Sequence, residues 1–315
     1  MIPTSFTDLY ADAARRREAG DTEGAVALLR DNLKTFPLHR GVVYLALAEL
    51  LADEGRPKDA IEILSQAFTA GCRFKATQLR EDPHLAPLAT DARFGRVVAR
   101  LAERYETDAA AARPDLLIRA PAGEPGPDGR PLLVALHGNN SNARETARHW
   151  SSAVSAGWVL AVPQSSEIGS SPDAYLWNDR ARATREIDAH LTRAGELHRI
   201  DRRRTVLAGF SMGGLQAVAL ALAHGVAACG VLPVAPWLPD ISELAALAGS
   251  GAARLVPMYI VVGDQDPSLD GATQLATLLE SRGAKATLDV RAGMSHQYPA
   301  DMDATLGRAL PFLAG

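Results

Sequence analysis

The spacing of hydrophobic residues divides the chain into two parts of different character. Between about residues 5 and 105, apolar positions recur at helical spacing, and the pattern predicts helices at about 5–19, 22–35, 41–54 and 57–70. From residue 132 onward, short apolar runs bounded by glycine, proline and polar residues alternate with helical patterns. The chain is therefore expected to be all-helical first and of the α/β type afterwards.

In the second part, each short apolar run predicts a buried strand. The runs lie at 132–136, 158–162, 205–208, 229–234, 257–262 and 286–290, with an earlier strand at 116–119. One helix is predicted to begin at about 143, and another begins at Met212 and ends at Gly225. Further helices are predicted at 184–194, 241–248, 271–282 and 301–313. This alternation is typical of a mainly parallel sheet with helices on both faces.

The helical part contains an internal repeat. When the sequence is shifted by 35 positions, these pairs fall on each other: Gly20 and Gly55, Ala25 and Ala60, Val26 and Ile61, Leu29 and Leu64, Leu33 and Phe68. This period, with a small residue at the turn, fits stacked helical hairpins and resembles the tetratricopeptide repeat. Two repeats are fewer than such a solenoid needs to bury its core alone. So short a repeat makes little concave surface, so the unit is expected to serve as a packing appendage, a lid or a dimerisation element, with a peptide-docking groove as the alternative.

The predicted domains are a tetratricopeptide-like helical domain at 1–108, a linker with the first strand at 109–131, and an α/β domain at 132–315. The linker is marked by the glycine- and proline-rich stretch 121–131.

Composition excludes several classes of function. The chain has 315 residues, 33 Lys and Arg against 37 Asp and Glu, and no basic stripe that would favour nucleic acid. Cys72 and Cys229 lie far apart without a metal-type neighbour, so free thiols are expected. The sequence shows no signal-peptide core and no apolar run of about 18 residues, so no membrane segment is expected and a cytoplasmic location is the default. We also expect no metal and no organic cofactor.

A G-x-S-x-G motif lies between the strand at 205–208 and the helix that follows it. It reads Gly209-Phe210-Ser211-Met212-Gly213. A serine on a sharp strand-to-helix turn needs a strained backbone and small neighbours, which the glycines supply. The motif marks Ser211 as a candidate nucleophile and the backbone N–H of Met212 as an oxyanion donor. A glycine-rich turn with a purely structural role is the alternative.

Three more strand ends carry polar chemistry. His137-Gly138-Asn139-Asn140 follows the strand at 132–136, where the N–H of Asn139 is a candidate second oxyanion donor and His137 braces the loop. Asp264 and Asp266 follow the strand at 257–262, and either carboxylate could orient a histidine, while the other caps a helix or closes a turn. His296 lies beyond the last strand, where it is a candidate general base.

The chain order Ser211, Asp266, His296 resembles that of the α/β-hydrolase superfamily, and more narrowly its carboxylesterase/phospholipase and dienelactone-hydrolase-like branch. The motifs are H-G-N-N, G-F-S-M-G-G, G-D-Q-D-P and M-S-H-Q-Y-P within residues 115–315. The resemblance implies an esterase-type mechanism and places the acid immediately before the proline, at Asp266. The dienelactone enzymes carry a cysteine nucleophile, so a serine at 211 favours the esterase side.

Three further residues are candidates for a substrate pocket at the same edge of the sheet. They are Gln164 and Trp177, which follow the strand at 158–162, and Trp237, which follows the strand at 229–234. Alternatively, Trp177 packs under the loop and Asp179 caps the next helix.

The sequence thus predicts a serine hydrolase that cleaves small carboxylic esters or thioesters. Two alternatives stay open: an acyltransferase or peptidase with the same triad, and a helical-repeat adaptor with an inert hydrolase domain. The N-terminal helices are candidates for contacts within a homo-oligomer or with a protein partner.

Overall fold

A computed structural model describes residues 5–223, 226–249 and 255–315. The chain divides into two compact units. One comprises Met1–Ala112 together with Ile168–Ala174, and the other comprises Arg113–Glu167 together with Tyr175–Gly315. The sequence predicts a division near residue 108, but nothing in it indicates that a segment from within the α/β part groups with the helical unit.

The helical unit contains six α-helices among its described residues. They are α1 (Phe6–Glu18), α2 (Thr22–Asp31), α3 (Arg40–Asp53), α4 (Pro57–Thr69), α5 (Ala76–Arg80) and α6 (Ala92–Ala111), with 3-10 turns at Pro37–His39 and Ala86–Leu88. Side chains of Ser5 and Asp21 cap α1 and α2 by accepting backbone N–H groups. The first four helices correspond to those predicted, except that α2 ends four residues early. Helix α6 extends past the predicted linker start at 109, because alanines favour helix.

Helix α3 is the centre of the helical unit. It packs against α4 and α2, and it is buried on nearly all sides. Leu47 and Leu51 on α3 and Leu64 on α4 are completely inaccessible to solvent within one apolar cluster. Burial of such a side chain contributes about 1.5–3 kcal/mol, so the hairpins hold together through this shared core.

The second unit is built on a seven-stranded sheet. Its strands are β1 (Asp115–Arg119), β2 (Arg130–Leu136), β3 (Val159–Gln164), β4 (Ile200–Phe210), β5 (Gly230–Val234), β6 (Met258–Gly263) and β7 (Ala286–Arg291). They are ordered β1-β3-β2-β4-β5-β6-β7, and every neighbouring pair is parallel except β1 with β3. The mainly parallel sheet predicted from the sequence is confirmed. Strand β4 is longer than predicted because Arg202–Arg204 interrupt its apolar pattern.

Helices cover both faces of this sheet. They are α7 (Ala143–His149), α8 (Ser152–Ser155), α9 (Arg180–Leu197), α10 (Met212–Leu222), α11 (Ser242–Gly249), α12 (Leu269–Ser281) and α13 (Met302–Ala314). Alternate residues of β2 enter two separate apolar clusters: Leu132, Val134 and Leu136 enter one, and Leu133 and Ala135 the other. Burial on both faces explains why the strands read as continuous apolar runs.

The strand register brings the chemistry-bearing loops to one edge. Leu136 pairs with Gly209, Phe210 with Val234, and Gly263 with Arg291, so β2, β4, β5, β6 and β7 end side by side. Ligands of parallel α/β sheets bind beyond such carboxyl ends. Helix α10 ends at Leu222, and Gly225, the predicted end, lies outside the described residues. Among the described helices, none is long and apolar enough to cross a membrane.

Candidate active site

Ser211 lies on the sharp turn between β4 and α10, with φ of 54° and ψ of −122°. Few residues other than glycine adopt this conformation, and holding it costs about 1–3 kcal/mol. The flanking glycines make the turn possible. A Cβ on Gly209 would lie 2.4 Å from the carbonyl group of Gly213, and one on Gly213 would lie 2.4 Å from the carbonyl oxygen of His137. Gly209 and Gly213 thus lie so close to other backbone atoms that neither position has room for a side chain, as the motif predicts.

Backbone hydrogen bonds fix Ser211 in this strained conformation. Its N–H donates to the carbonyl oxygen of Val234 at 3.1 Å. Its own carbonyl oxygen accepts the N–H groups of Leu215 at 3.1 Å and Trp237 at 3.0 Å. The turn also starts α10, whose N-terminus carries partial positive charge, beside the serine.

A continuous chain of side-chain hydrogen bonds connects Ser211 to a buried carboxylate. His296 Nε2 lies 2.8 Å from Ser211 Oγ, and His296 Nδ1 lies 2.9 Å from Asp266 Oδ2. The Asp266 carboxylate is inaccessible to solvent, and the His296 side chain is nearly so. The carboxylate acts as acceptor, which assigns the proton to Nδ1 and leaves Nε2 free to accept the serine hydroxyl.

The structure distinguishes the two candidate acids. Asp266 Oδ1 accepts the backbone N–H of Ser268 at 2.8 Å, which leaves Oδ2 for His296. Asp264 instead accepts the N–H of Gly293 at 2.8 Å and lies on the exposed side of the loop. The carboxylate before the proline is therefore the one that contacts the histidine.

Aromatic rings pack around His296. Phe210 lies 5.2 Å from it between ring centroids, and Trp237 lies 6.0 Å from it edge-on. Phe210 in turn stacks on Tyr298 at 4.3 Å, and burial raises the pKa of the Tyr298 phenol. The rings exclude water from one side of the histidine and keep its orientation fixed. The sequence analysis includes Tyr298 in the motif M-S-H-Q-Y-P but gives it no role, since one aromatic residue in a loop gives no periodic signal.

The loop after β2 lies directly against Ser211. A Cβ on Gly138 would lie 2.9 Å from the Phe210 ring and 3.4 Å from Ser211 Cβ. Asn139 follows, and both ends of its side chain are engaged: Oδ1 accepts the N–H of Trp177 at 2.9 Å, and Nδ2 donates to Asn178 Oδ1 at 2.8 Å. The side chain thus anchors the loop beside the serine.

His137 braces this loop from below, as the sequence analysis expects. It is completely buried, and burial lowers its pKa to about 4, so the ring is neutral at physiological pH. Its Nε2 accepts the N–H of Ser165 at 3.3 Å, and its Nδ1 lies 2.9 Å from the carbonyl oxygen of Gly138. These partners assign the ring proton to Nδ1.

The three predicted pocket residues have different surroundings. Trp237 is 39% exposed and borders His296. Trp177 is 1% exposed and stacks on His137, with 4.8 Å between ring centroids. It therefore packs under the loop, as in the alternative to a pocket role. Gln164 Oε1 accepts the N–H of Ala143 at 3.3 Å and so connects the end of β3 to the start of α7. Asp179 caps α9 by accepting the N–H of Arg182.

Sequence reasoning also missed Glu167. Its Oε2 accepts the N–H groups of Asn178 at 2.8 Å and Asp179 at 3.0 Å, so it holds the segment that anchors Asn139. Across the described part of the chain, no group of three or more His, Cys, Asp or Glu side chains is arranged to hold a metal ion.

The sequence of the α/β part matches a known family. The profile of the "Alpha/beta hydrolase family" matches residues 132–311. A protein of Nocardia uniformis subsp. tsuyamanensis named "Putative esterase NocK" is 34% identical over 166 residues, which are 48% of this chain and 44% of that protein. The chain thus spans less than half the length of this relative.

Two solved structures share the fold. An uncharacterized protein from Bacillus cereus ATCC 10987 aligns with a TM-score of 0.55 and 24% identity over 98% of this chain and 99% of its own. Esterase PE8 aligns with a TM-score of 0.51 and 21% identity over 62% of this chain and 95% of its own. Because the family profile covers more than half of the chain, the chain belongs to the α/β-hydrolase family.

Proposed function

We propose that the protein is a serine hydrolase that cleaves carboxylic ester or thioester bonds through an acyl-enzyme, with Ser211, His296 and Asp266 as its triad. One observation carries the proposal: the hydrogen-bonded chain from Ser211 Oγ through His296 to the buried Asp266 starts at a strained strand-to-helix turn. Strain of this kind is retained where surrounding structure enforces it, most often at functional sites.

In the acylation step, Ser211 Oγ attacks the carbonyl carbon while His296 Nε2 takes its proton. The resulting imidazolium is held by the Asp266 carboxylate, which stays ionised. When the tetrahedral intermediate collapses, the bond to the alcohol or thiol breaks and His296 returns the proton to that leaving group. Water then attacks the acyl-enzyme with His296 again acting as base, and Ser211 is regenerated.

The developing oxyanion needs two donors. We assign them to the backbone N–H groups of Met212, the first residue of α10, and Asn139, the residue after Gly138. Met212 lies at the positive end of a helix, and Asn139 lies in a loop that is held by hydrogen bonds from its side chain. In other serine hydrolases the loss of one such donor costs about 10²–10³-fold in kcat.

Trp237 supplies an apolar surface next to the triad. It is partly exposed, and its ring stands edge-on to His296, so we place the acyl or alcohol group of a small ester against it. The serine at 211 supports the carboxylesterase side of the branch that the motifs resemble. For the helical unit, the two hairpins support a tetratricopeptide-like origin.

The test is labelling with a fluorophosphonate probe and mapping of the adduct by mass spectrometry, together with hydrolysis of p-nitrophenyl acetate. We expect the adduct on Ser211. Ser211→Ala is expected to lower kcat/KM by about 10⁴-fold or more, and His296→Ala is expected to abolish labelling.

Ser281→Ala, at the exposed end of α12, is the matched control, since its hydroxyl donates to the carbonyl oxygen of Leu278 within the same helix. It is expected to keep full activity. An adduct on another residue, or hydrolysis at the wild-type rate by folded Ser211→Ala, would rule the assignment out.

A further inference from the structure

A short hairpin within the α/β sequence has its two ends in different units. Its base is closed by the Leu176 N–H, which donates to the carbonyl oxygen of Glu167 at 2.8 Å, and both residues belong to the sheet unit. Its tip, Ile168–Ala174, belongs to the helical unit and is closed by the Gly169 N–H donating to Ala174 at 2.7 Å.

Within the helical unit, Arg73 holds the tip. Its backbone N–H donates to the carbonyl oxygen of Ser170 at 3.0 Å. Its Nε donates to the carbonyl oxygen of Gly169 at 2.9 Å, and its Nη2 donates to that of Ser171 at 3.1 Å. Arg73 is only 8% exposed, and Nη1 binds Asp108 at 2.8 Å. One residue therefore satisfies three consecutive carbonyls in a buried setting.

The tip is also packed closely against Gly41. The Gly41 N–H donates to Ser171 Oγ at 2.8 Å, and a Cβ at Gly41 would lie 2.4 Å from Ser170 Oγ. Little room exists for the tip to shift, because Ser171 is completely buried as well.

The residues that follow the tip hold the proposed oxyanion loop. Tyr175 accepts the N–H of Asn140 at 2.9 Å and donates its own N–H to Ser141 at 2.9 Å. Two residues later, the Trp177 N–H donates to Asn139 Oδ1. The last residue of the tip is therefore adjacent in sequence to the first residue that fixes this loop.

We propose that Arg73 is a positioning residue for catalysis: it holds the hairpin tip, and the hairpin holds the Asn139 amide at the oxyanion. The inference rests on the proposed function. Without the guanidinium, buried carbonyls at Gly169 and Ser171 lose their donors, and the hairpin gains freedom. Catalytic donors act through fixed placement, and a displacement of about 1 Å can cost about 10²-fold in rate.

The experiment compares full-length Arg73→Ala and Arg73→Lys with the wild type. Steady-state hydrolysis of p-nitrophenyl acetate gives kcat and KM, and inhibition by an aryl trifluoromethyl ketone, whose hemiketal oxygen mimics the oxyanion, gives Ki. For Arg73→Ala we expect kcat to fall about 10–100-fold with KM within about twofold, and Ki to rise by a similar factor. Lysine cannot bond both carbonyls with a planar fork, so Arg73→Lys is expected to show a smaller loss of the same kind.

Arg104→Ala is the matched control. Arg104 also belongs to the helical unit, and its guanidinium donates to the carbonyl oxygen of Phe68 and lies over the Phe68 ring. It is expected to leave kcat and Ki unchanged, and circular dichroism and thermal melting verify folding of every variant.

The outcomes separate this inference from the function on which it rests. Unchanged kcat and Ki in folded Arg73→Ala would overturn the positioning role, while the adduct on Ser211 would still stand. If Arg73→Ala does not fold, Arg73→Lys decides by the same measurements. A loss of activity equal to that of Arg104→Ala would also overturn the inference, since it would show a general effect of the helical unit. Absence of both labelling and hydrolysis in the wild type would instead be a failure of the proposed function.

Discussion

Asp266→Asn tests the orientation of His296 without changing the size of the side chain. In the wild type, Oδ1 accepts the Ser268 N–H and Oδ2 faces His296 Nδ1. In the variant, the amide oxygen is expected to stay with Ser268, which turns the NH₂ group toward Nδ1. A donor there favours the tautomer with the proton on Nε2, and this nitrogen can no longer accept the proton of Ser211.

The size of the effect follows from two free-energy costs in the variant. Turning the amide to restore the correct tautomer leaves the buried Ser268 N–H without an acceptor, which costs about 1–3 kcal/mol. The imidazolium also loses a carboxylate, whose attraction is about 4 kcal/mol at an effective dielectric constant of about 20, and the amide dipole replaces little of it. The sum of about 5–7 kcal/mol corresponds to about 10⁴–10⁵-fold in kcat. A loss of about 10⁴-fold is known for this change in another Ser-His-Asp enzyme.

The assay is kcat for p-nitrophenyl acetate under single-substrate steady state, with circular dichroism to verify the fold. Asp264→Asn is the matched control. Its Oδ1 accepts the Gly293 N–H, and an amide oxygen can do the same, so we expect activity within about threefold of the wild type. The reasoning would be refuted if Asp266→Asn stayed within tenfold of the wild type, or if Asp264→Asn were the more damaging change.

Two predictions concern packing and buried charge. Gly213→Ala places a Cβ 2.4 Å from the carbonyl oxygen of His137, so urea unfolding is expected to show a loss of about 1–3 kcal/mol together with reduced activity, whereas Gly307→Ala, with open space around its Cβ, is expected to be neutral or stabilising. Burial, together with the neighbouring Asp82, raises the pKa of Glu49 to about 7, so the folded state binds a proton that the unfolded state releases. The free energy of unfolding therefore falls as pH rises from about 4.5 to 7. Glu49 is partly exposed, and solvent screening reduces the size of this effect. We expect Glu49→Gln to be more stable than the wild type by about 1–2 kcal/mol at pH 8 and not at pH 4, as measured by urea unfolding. An equal difference at both pH values would contradict a titration effect.

Much of the fold could be predicted from the sequence, because both faces of the sheet are buried. Burial on two sides makes β2, β3, β5 and β6 continuous apolar runs, and a parallel sheet then brings their carboxyl ends together. The candidate triad could be predicted for the same reason. Ser211, Asp266 and His296 each follow a strand end, so their proximity depends on topology and not on loop details.

What the sequence did not predict depends on contacts between distant residues that have no periodic pattern. The grouping of Ile168–Ala174 with the helical unit rests on Arg73, and an arginine that binds carbonyls 96 and 98 positions away has the same appearance in sequence as one at the surface. The start of β4 at Ile200 is hidden by the exposed Arg202–Arg204. Trp177 follows a strand end as a pocket residue would, but its ring stacks on the buried ring of His137.

The backbone contacts of the turn at Ser211 predict that the serine can be replaced without loss of the fold. Its conformation is enforced by the main chain: the N–H donates to Val234, and the carbonyl oxygen accepts from Leu215 and Trp237. The hydroxyl bonds His296 and takes no part in those main-chain contacts. The strain of about 1–3 kcal/mol is therefore borne by β5 and α10 and not by the serine side chain. Alanine at 211 keeps the backbone and removes one oxygen, so we expect activity to be lost there without stability, whereas a side chain at Gly209 or Gly213 is expected to lower both.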